Sequence, residues 1–264
     1  MNSHTLRAGA LPLQLRGVAA LTERHLRSLL RNWKVAFTWF AIEPWVALMA
    51  IAIGIGKLVG NVAESVSYAE FVAPGIVIGT AMFHALGDAA WAAYDRVNQG
   101  VYETQLTAPI TVAELVAAEL TYAVIKALIS TLTVGGLAIA LGWIPLPALP
   151  GLLLVSVGVG LLFGGIGQLF AATAPSFQAL TLVFTLLATP LYFFSGTFFP
   201  IALLPEWLQP VAWAAPLTPL VQAGRALALG ELSANHFWGA LYVAALIVIF
   251  YGIAVRAMTR RLLK

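Results

Sequence analysis

The stretch of residues 93–119 runs AYDRVNQGVYETQLTAPITVAELVAAE. It is the longest polar interruption between the first and last apolar runs, and the runs on either side carry few charges. In a soluble protein it would be an ordinary connection. In a membrane-embedded chain it is the one internal piece that must sit in water and touch something. Composition decides between the two. Of 264 residues, 61% are hydrophobic and only 9% charged, where soluble domains carry roughly 25% charged residues. The mean hydropathy is +0.90. Such a chain lacks the polar surface to cover itself and reads as a one-domain polytopic membrane protein.

The net charge of +3 does not point to nucleic acid, because the basic residues cluster at the edges of the apolar runs. Cysteine is absent, which excludes a disulfide framework, a thiol nucleophile and a thiolate metal site. The four histidines (4, 25, 84 and 236) are too scattered for a zinc site. No Gly-x-Ser-x-Gly elbow occurs. Gly54-Ile55-Gly56-Lys57 is not a nucleotide loop, since the required first glycine falls at Ile51 and Leu58 replaces the Ser/Thr. The start shows no apolar core of signal type followed by a small-residue cleavage site.

Ahead of the quoted stretch, residues 1–20 read as a mobile start. Residues 21–34 carry Leu21, His25, Leu26, Leu29, Leu30 and Trp33 at helical spacing, with Glu23, Arg24, Arg27, Arg31 and Lys34 on the other face. That pattern predicts a basic amphipathic helix lying in the headgroup layer. The first span is predicted over 35–56, long enough at about 33 Å for a hydrocarbon core of roughly 30 Å. It holds one charge, Glu43, followed by Pro44; a basic partner from the preceding helix would account for it. Ser67-x-x-Glu70 is a capping-box pattern and opens the second span, 68–93.

Beyond the polar connection of 94–109, Thr111-x-x-Glu114 is a second capping box, opening the third span over 111–141. Trp143 to Pro150, with three prolines, is a tight turn. The fourth span is predicted over 151–172, the fifth over 179–199 and the sixth over 237–255. Between the last two lies 200–225, apolar and aromatic but broken by prolines 200, 205, 210, 216 and 219. It reads as short re-entrant helices, since irregular backbone at membrane depth needs protein or a wet cavity around it. With the N-terminus inside, 11 Lys/Arg fall on inside segments and 2, Lys57 and Arg225, outside. That asymmetry places both termini and 94–109 on the cytoplasmic side.

Several residues carry candidate chemistry. Within 94–109, a hinge at Gly100 precedes a patch of Val101, Tyr102, Glu103 and Leu106 that suits a groove on a partner; the alternative is a solvated loop. His84 and Asp88, at i and i+4, could form a proton relay or a mutually satisfied polar pair. Glu119 and Lys126 are expected to snorkel or to pair across helices. Gly75-x-x-x-Gly79 and Ser156-x-x-x-Gly160-x-x-x-Gly164 align small residues for close helix packing or a dimer seam.

Together these features resemble the permease subunits of type-2 ATP-binding-cassette (ABC-2) exporters, over about residues 20–262. The resemblance rests on three things. One is the order of basic helix, six spans and a connection between spans two and three. Another is Phe71-Val72-Ala73-Pro74-Gly75 followed by Arg96, Gly100, Tyr102-Glu103, Leu106 and Pro109. The last is Ser195-Gly196-x-Phe198-Phe199-Pro200, then Leu204-Pro205, Pro216-Leu217-Thr218-Pro219 and Arg225. Within the family the pattern is most similar to nodulation-factor (lipooligosaccharide) and daunorubicin-type drug exporters.

The resemblance implies an all-α membrane protein of the cytoplasmic (inner) membrane whose 94–109 segment is a coupling helix on a cytoplasmic ATPase. Arg96, Gly100, Val101, Tyr102, Glu103, Leu106 and Pro109 would carry that coupling. ATP and Mg would be bound by the partner and not by this chain. Two permeases, as a homodimer, would pass an amphipathic cargo between them by alternating access. Spans one, two and five would line the path, for which Phe83, His84, Asp88, Trp91, Phe184, Tyr192 and Phe193 are candidates; lipid-facing or core packing is the alternative for the aromatic ones. Ser195, Gly196, Phe199, Pro200, Pro216, Pro219 and Arg225 would form an outer gate. A proton-coupled carrier using His84 and Asp88, and an intramembrane transferase, are the competing readings.

Overall fold

The computed structural model describes residues 15–63 and 66–263. The protein is all-α and membrane-embedded, with six helices long and apolar enough to cross a membrane: Trp33–Val59, Tyr68–Asn98, Val112–Ala140, Leu146–Thr173, Phe177–Phe194 and Ala234–Leu262. They are called the first to sixth spans below. The N-terminal helix, Leu15–Arg31, precedes them. It begins ahead of the expected Leu21, so residues 15–20 are helical and not a mobile start; residues 1–14 lie outside the described residues.

Local chemistry fixes the two helix starts that matter most for the site. At the second span the Ser67 hydroxyl accepts from the Glu70 amide, and Glu70 Oε2 accepts from the Ser67 amide at 2.8 Å. At the third span Thr111 and Glu114 repeat the exchange, with the Thr111 amide donating to Glu114 Oε2 at 2.7 Å. Each box satisfies two amides that the first turn of a helix leaves free. Between the first two spans runs a short antiparallel pair of strands, Asn61–Ala63 and Val66–Ser67.

The second span is the centre of the bundle. In its most apolar window 78% of residues are buried, against 17% in the first span and 11% in the fifth and sixth. It packs on the third and fourth spans, which pack on each other. The small-residue seam makes this possible. A Cβ on Gly160 would collide with the Val124 backbone, and one on Gly164 would lie 2.8 Å from the Ala123 Cβ. One on Gly79 would run into the Tyr192 ring. Both small-residue patterns therefore serve packing within the chain.

The first and fifth spans are far less buried, and each pairs a proline with a π-helical turn just before it, Pro44 after Thr38–Ile42 and Pro190 after Phe184–Ala188. Neither proline has an amide hydrogen to donate. The fifth helix stops at Phe194 and not at Phe199, because the chain turns at Gly196, whose φ of +77° suits only glycine well. The proline-broken region resolves into a 3-10 turn (Ile201–Leu203) and two helices, Gln209–Ala214 and Thr218–Leu229, the second packing on spans two, four and six. It runs beyond Arg225, where the broken region was expected to end.

Candidate functional site

At one end of the bundle the second span, the third span, the N-terminal helix and the polar connection meet around a single buried carboxylate. Glu119, only 2% exposed, accepts three hydrogen bonds or ion-pair contacts. Arg96 Nη1 donates to Oε2 at 2.7 Å, Tyr102 Oη donates to Oε1 at 2.8 Å, and His25 Nε2 lies 3.2 Å from Oε1. A charge at such depth is tolerated only when its oxygens are satisfied in this way. Beside it, Lys126 Nζ lies 2.5 Å from Asp88 Oδ1, and Arg96 Nη2 is 4.0 Å from Asp88 Oδ2. Tyr122 stacks on His25 at 4.9 Å between ring centres and receives Lys126 on its face at the same distance.

The polar connection is shaped by this junction. The second span continues as helix through Asn98. Gly100, at φ +68°, reverses the chain, and Val101–Gln105 forms one short helix. Of the expected partner-facing patch, only part faces out. Glu103, Thr104, Thr107 and Pro109 are exposed, Val101 and Leu106 are half-buried, and Tyr102 is fully buried. Tyr102 is thus corrected from a docking side chain to an internal strut. Burial, with Glu119 adding to it, pushes the Tyr102 phenol well above its ordinary range, which keeps it a hydrogen-bond donor.

The structure separates His84 from Asp88. The Trp39 carbonyl accepts from His84 Nε2 at 3.0 Å, so the other ring nitrogen accepts the Ser130 hydroxyl at 2.9 Å. His84 therefore ties the first and third spans to the second, while Asp88 belongs to the Lys126 and Arg96 pairs. Neither the relay nor the mutual pair forms. Glu119 and Lys126 pair across helices, as expected of them. Glu43 is exposed and makes no ion pair among the described residues, so the anticipated basic partner is not there.

The candidate path aromatics do come together. Phe83 meets Tyr192 at 5.0 Å and Phe184 at 5.5 Å, and Trp91 meets Phe184 at 4.3 Å. Tyr192 and Phe193 both contact Phe198 at 5.0 Å. These form one aromatic seam between the second and fifth spans. Phe198, quoted only for its family pattern, is the member that sequence reasoning left out.

At the opposite end, Arg225 is buried and pairs with no carboxylate among the described residues. Its Nε donates to the Phe71 carbonyl at 3.0 Å, its Nη2 donates to the Gly196 carbonyl at 2.6 Å, and its guanidinium lies 3.7 Å from the Phe71 ring centre. Burial lowers its pKa to about 10. Of the expected gate, the structure thus joins Arg225 to Gly196. Ser195 is fully buried, and its hydroxyl has no hydrogen-bond partner among the described residues. Phe199 lies 6.4 Å from Phe194, Pro200 precedes the 3-10 turn, and Pro216 and Pro219 flank the start of the Thr218 helix.

Sequence reasoning overlooked His25 and Tyr122. The signal for His25 was there: it is a titratable residue on the apolar stripe of an amphipathic helix, one turn after Leu21.

Comparison with known proteins bears on the whole chain. The ABC-2 type transporter family matches residues 16–229. Nodulation protein J of Rhizobium leguminosarum bv. viciae is 31% identical over 223 residues, covering 84% of this chain and 86% of the relative. Its counterpart from R. leguminosarum bv. trifolii is 32% identical over 225 residues, covering 84% and 85%. The polysialic acid transport protein KpsM of Escherichia coli is 25% identical over 250 residues, covering 90% and 91%. A match over most of the chain, on six spans of the right length and order, establishes that this protein belongs to the ABC-2 type transporter family, as a multi-pass membrane permease.

Proposed function

We propose that the protein is the permease subunit of an ATP-driven exporter of the cytoplasmic membrane, working as a homodimer with a separate cytoplasmic ATPase that binds ATP and Mg. The observation that carries this reading is the way Tyr102 and Arg96 clamp the short helix 101–105 and both flanking spans onto Glu119. A load applied to the exposed face of that helix, at Glu103 and Thr104, reaches the second and third spans without passing through a flexible loop. This is the geometry a motor contact needs, and it supports alternating access as a shift between two packed states.

The distribution of 11 basic residues against 2 supports cytoplasmic termini and a cytoplasmic coupling segment. The exposed faces of the first and fifth spans support a second copy, since the first leaves the Glu43 carboxylate uncovered at a depth where hydrocarbon disfavours it. The aromatic seam and the likeness to a polysialic acid transport protein support an amphipathic cargo, a lipooligosaccharide or lipid-linked glycan, ahead of a hydrophobic drug. A proton-coupled carrier is the weaker reading, because His84 and Asp88 engage different partners, Trp39 and Ser130 for one and Lys126 and Arg96 for the other.

The test is affinity purification of the full-length protein from its own cells. It is expected to bring down an ATPase and to raise its hydrolysis rate. Glu103→Lys, on an exposed position, should weaken both while leaving the thermal melt unchanged. Retention of assembly and of stimulated hydrolysis in that variant would sink the coupling assignment.

A further inference from the structure

We propose that the cavity between the N-terminal helix and the second and third spans binds the phosphate of an anionic lipid headgroup. The proposal goes beyond the transport reading and does not depend on the ATPase. The cavity has a volume of about 460 Å³ and is lined by Arg24, Arg27, Arg31 and Arg96, with His25 and Tyr122 also in its wall. That size falls within the roughly 300–1,000 Å³ of small-molecule sites. Arg24, Arg27 and Arg31 stand at i, i+3 and i+7, on one face of the N-terminal helix.

Among the described residues no carboxylate lines the cavity. Glu119 and Asp88 are engaged by Arg96, Tyr102, His25 and Lys126. Glu23 meets Arg27 at 2.6 Å, but both side chains are more than half exposed, and such a pair neutralises little. With its amide oxygen turned toward it, Gln105 accepts from Arg24 Nη2 at 3.2 Å, which satisfies a donor without cancelling its charge. Arg31 has no hydrogen-bond or ionic partner among the described residues. Arg24 and Arg31 thus line an open polar space with no carboxylate partner among the described residues, and guanidinium forks of this kind match the tetrahedral oxygens of a phosphate.

The location selects a lipid over a soluble ion. The chain leaves the cavity wall at Arg31 and enters the first span at Trp33, with Trp33, Val35, Phe37 and Trp39 all exposed. An anion held at Arg31 therefore sits where polar headgroups give way to hydrocarbon, with apolar surface adjacent for acyl chains. Occupancy also draws Arg24 away from Gln105, the last residue of the short helix 101–105, so the headgroup and the proposed motor contact share a residue.

Native mass spectrometry of the full-length protein, purified in neutral detergent and given equal amounts of phosphatidylglycerol and phosphatidylcholine, tests this. The wild type should retain phosphatidylglycerol selectively. R24A/R31A should lower that retention by about tenfold or more, the scale of one lost charged hydrogen bond. R24K/R31K, keeping charge without the fork, should fall between them. R256A/R260A, which removes two exposed arginines at the end of the sixth span, should keep the wild-type preference. Thermal melts in the same detergent check folding, and R24K/R31K decides if the alanine variant does not fold. Equal retention of the two lipids by the wild type, or equal loss in R256A/R260A, overturns the site. Complete displacement of the lipid by millimolar inorganic phosphate overturns the lipid assignment in favour of a soluble phosphate ligand.

Discussion

Tyr102 donates its hydroxyl hydrogen to Glu119 at 2.8 Å, although the two residues stand 17 apart and on opposite sides of a turn and a helix cap. One bond thereby closes the polar connection onto the third span. Tyr102→Phe should keep the ring in place and remove only that bond. The acceptor is a buried carboxylate, so the expected loss is about 1.5–3 kcal/mol of stability, read as a drop in the thermal melt. If 101–105 is a lever, hydrolysis by the associated ATPase should become partly uncoupled from transport in the same variant. An unchanged melt and unchanged coupling would show the strut to be idle.

Glu119→Gln leaves the shape and removes the charge, leaving the Arg96 guanidinium only its longer 4.0 Å contact to Asp88. The cost should be about 3–5 kcal/mol, as for other broken buried pairs. Arg96→Gln combined with Glu119→Gln should recover a large part of it. A double-mutant cycle on detergent melts measures the coupling, and strict additivity would mean that the two side chains do not stabilise each other.

Arg225→Lys retains a cation but cannot span Phe71 and Gly196 at once. We expect the loss of at least one charged hydrogen bond, about 1.5–3 kcal/mol. Hydrogen exchange should speed up over 195–200 and stay unchanged over 112–140. Exchange that rises uniformly would point to global destabilisation and away from a local clamp.

Gly160→Ala drives a methyl group into the Val124 backbone and should cost about 1–3 kcal/mol. Gly136→Ala, in the interior of the third span with nothing within 4 Å, should be neutral or stabilising by up to about 1 kcal/mol. Equal melts for the two variants would remove the packing account of the seam.

The parts of this fold that were legible in the sequence are those governed by short-range chemistry. Ser67 with Glu70 and Thr111 with Glu114 declare helix starts, because the exchange they make spans three residues. The apolar runs declare spans, because solvent transfer depends on composition. What stayed hidden is rotation about helix axes. Nothing local says that Asp88 turns toward Lys126 while His84 turns toward Ser130, or that Glu119 meets Arg96. Tyr102 was misjudged for a related reason: a five-residue helix is too short to show a periodicity, so its inner face cannot be read from pattern. The aromatic seam was legible residue by residue, yet its continuation through Phe198 depends on the turn at Gly196.

The two prolines that follow π-helical turns have a mechanical consequence. Bending a helix in hydrocarbon ordinarily strands an amide and a carbonyl that have no water to turn to. At Pro44 and Pro190 the missing amide has already removed one such bond, so flexing there sacrifices nothing further. Span two also holds a proline, Pro74, and a π-helical turn, Asp88–Ala92, but it is buried among spans three and four and held there by close glycine contacts. The molecule is in effect a stiff keel with two pre-creased walls. When the lever at 101–105 moves, the walls should yield at Pro44 and Pro190 first, at points fixed by covalent structure and not by the cargo.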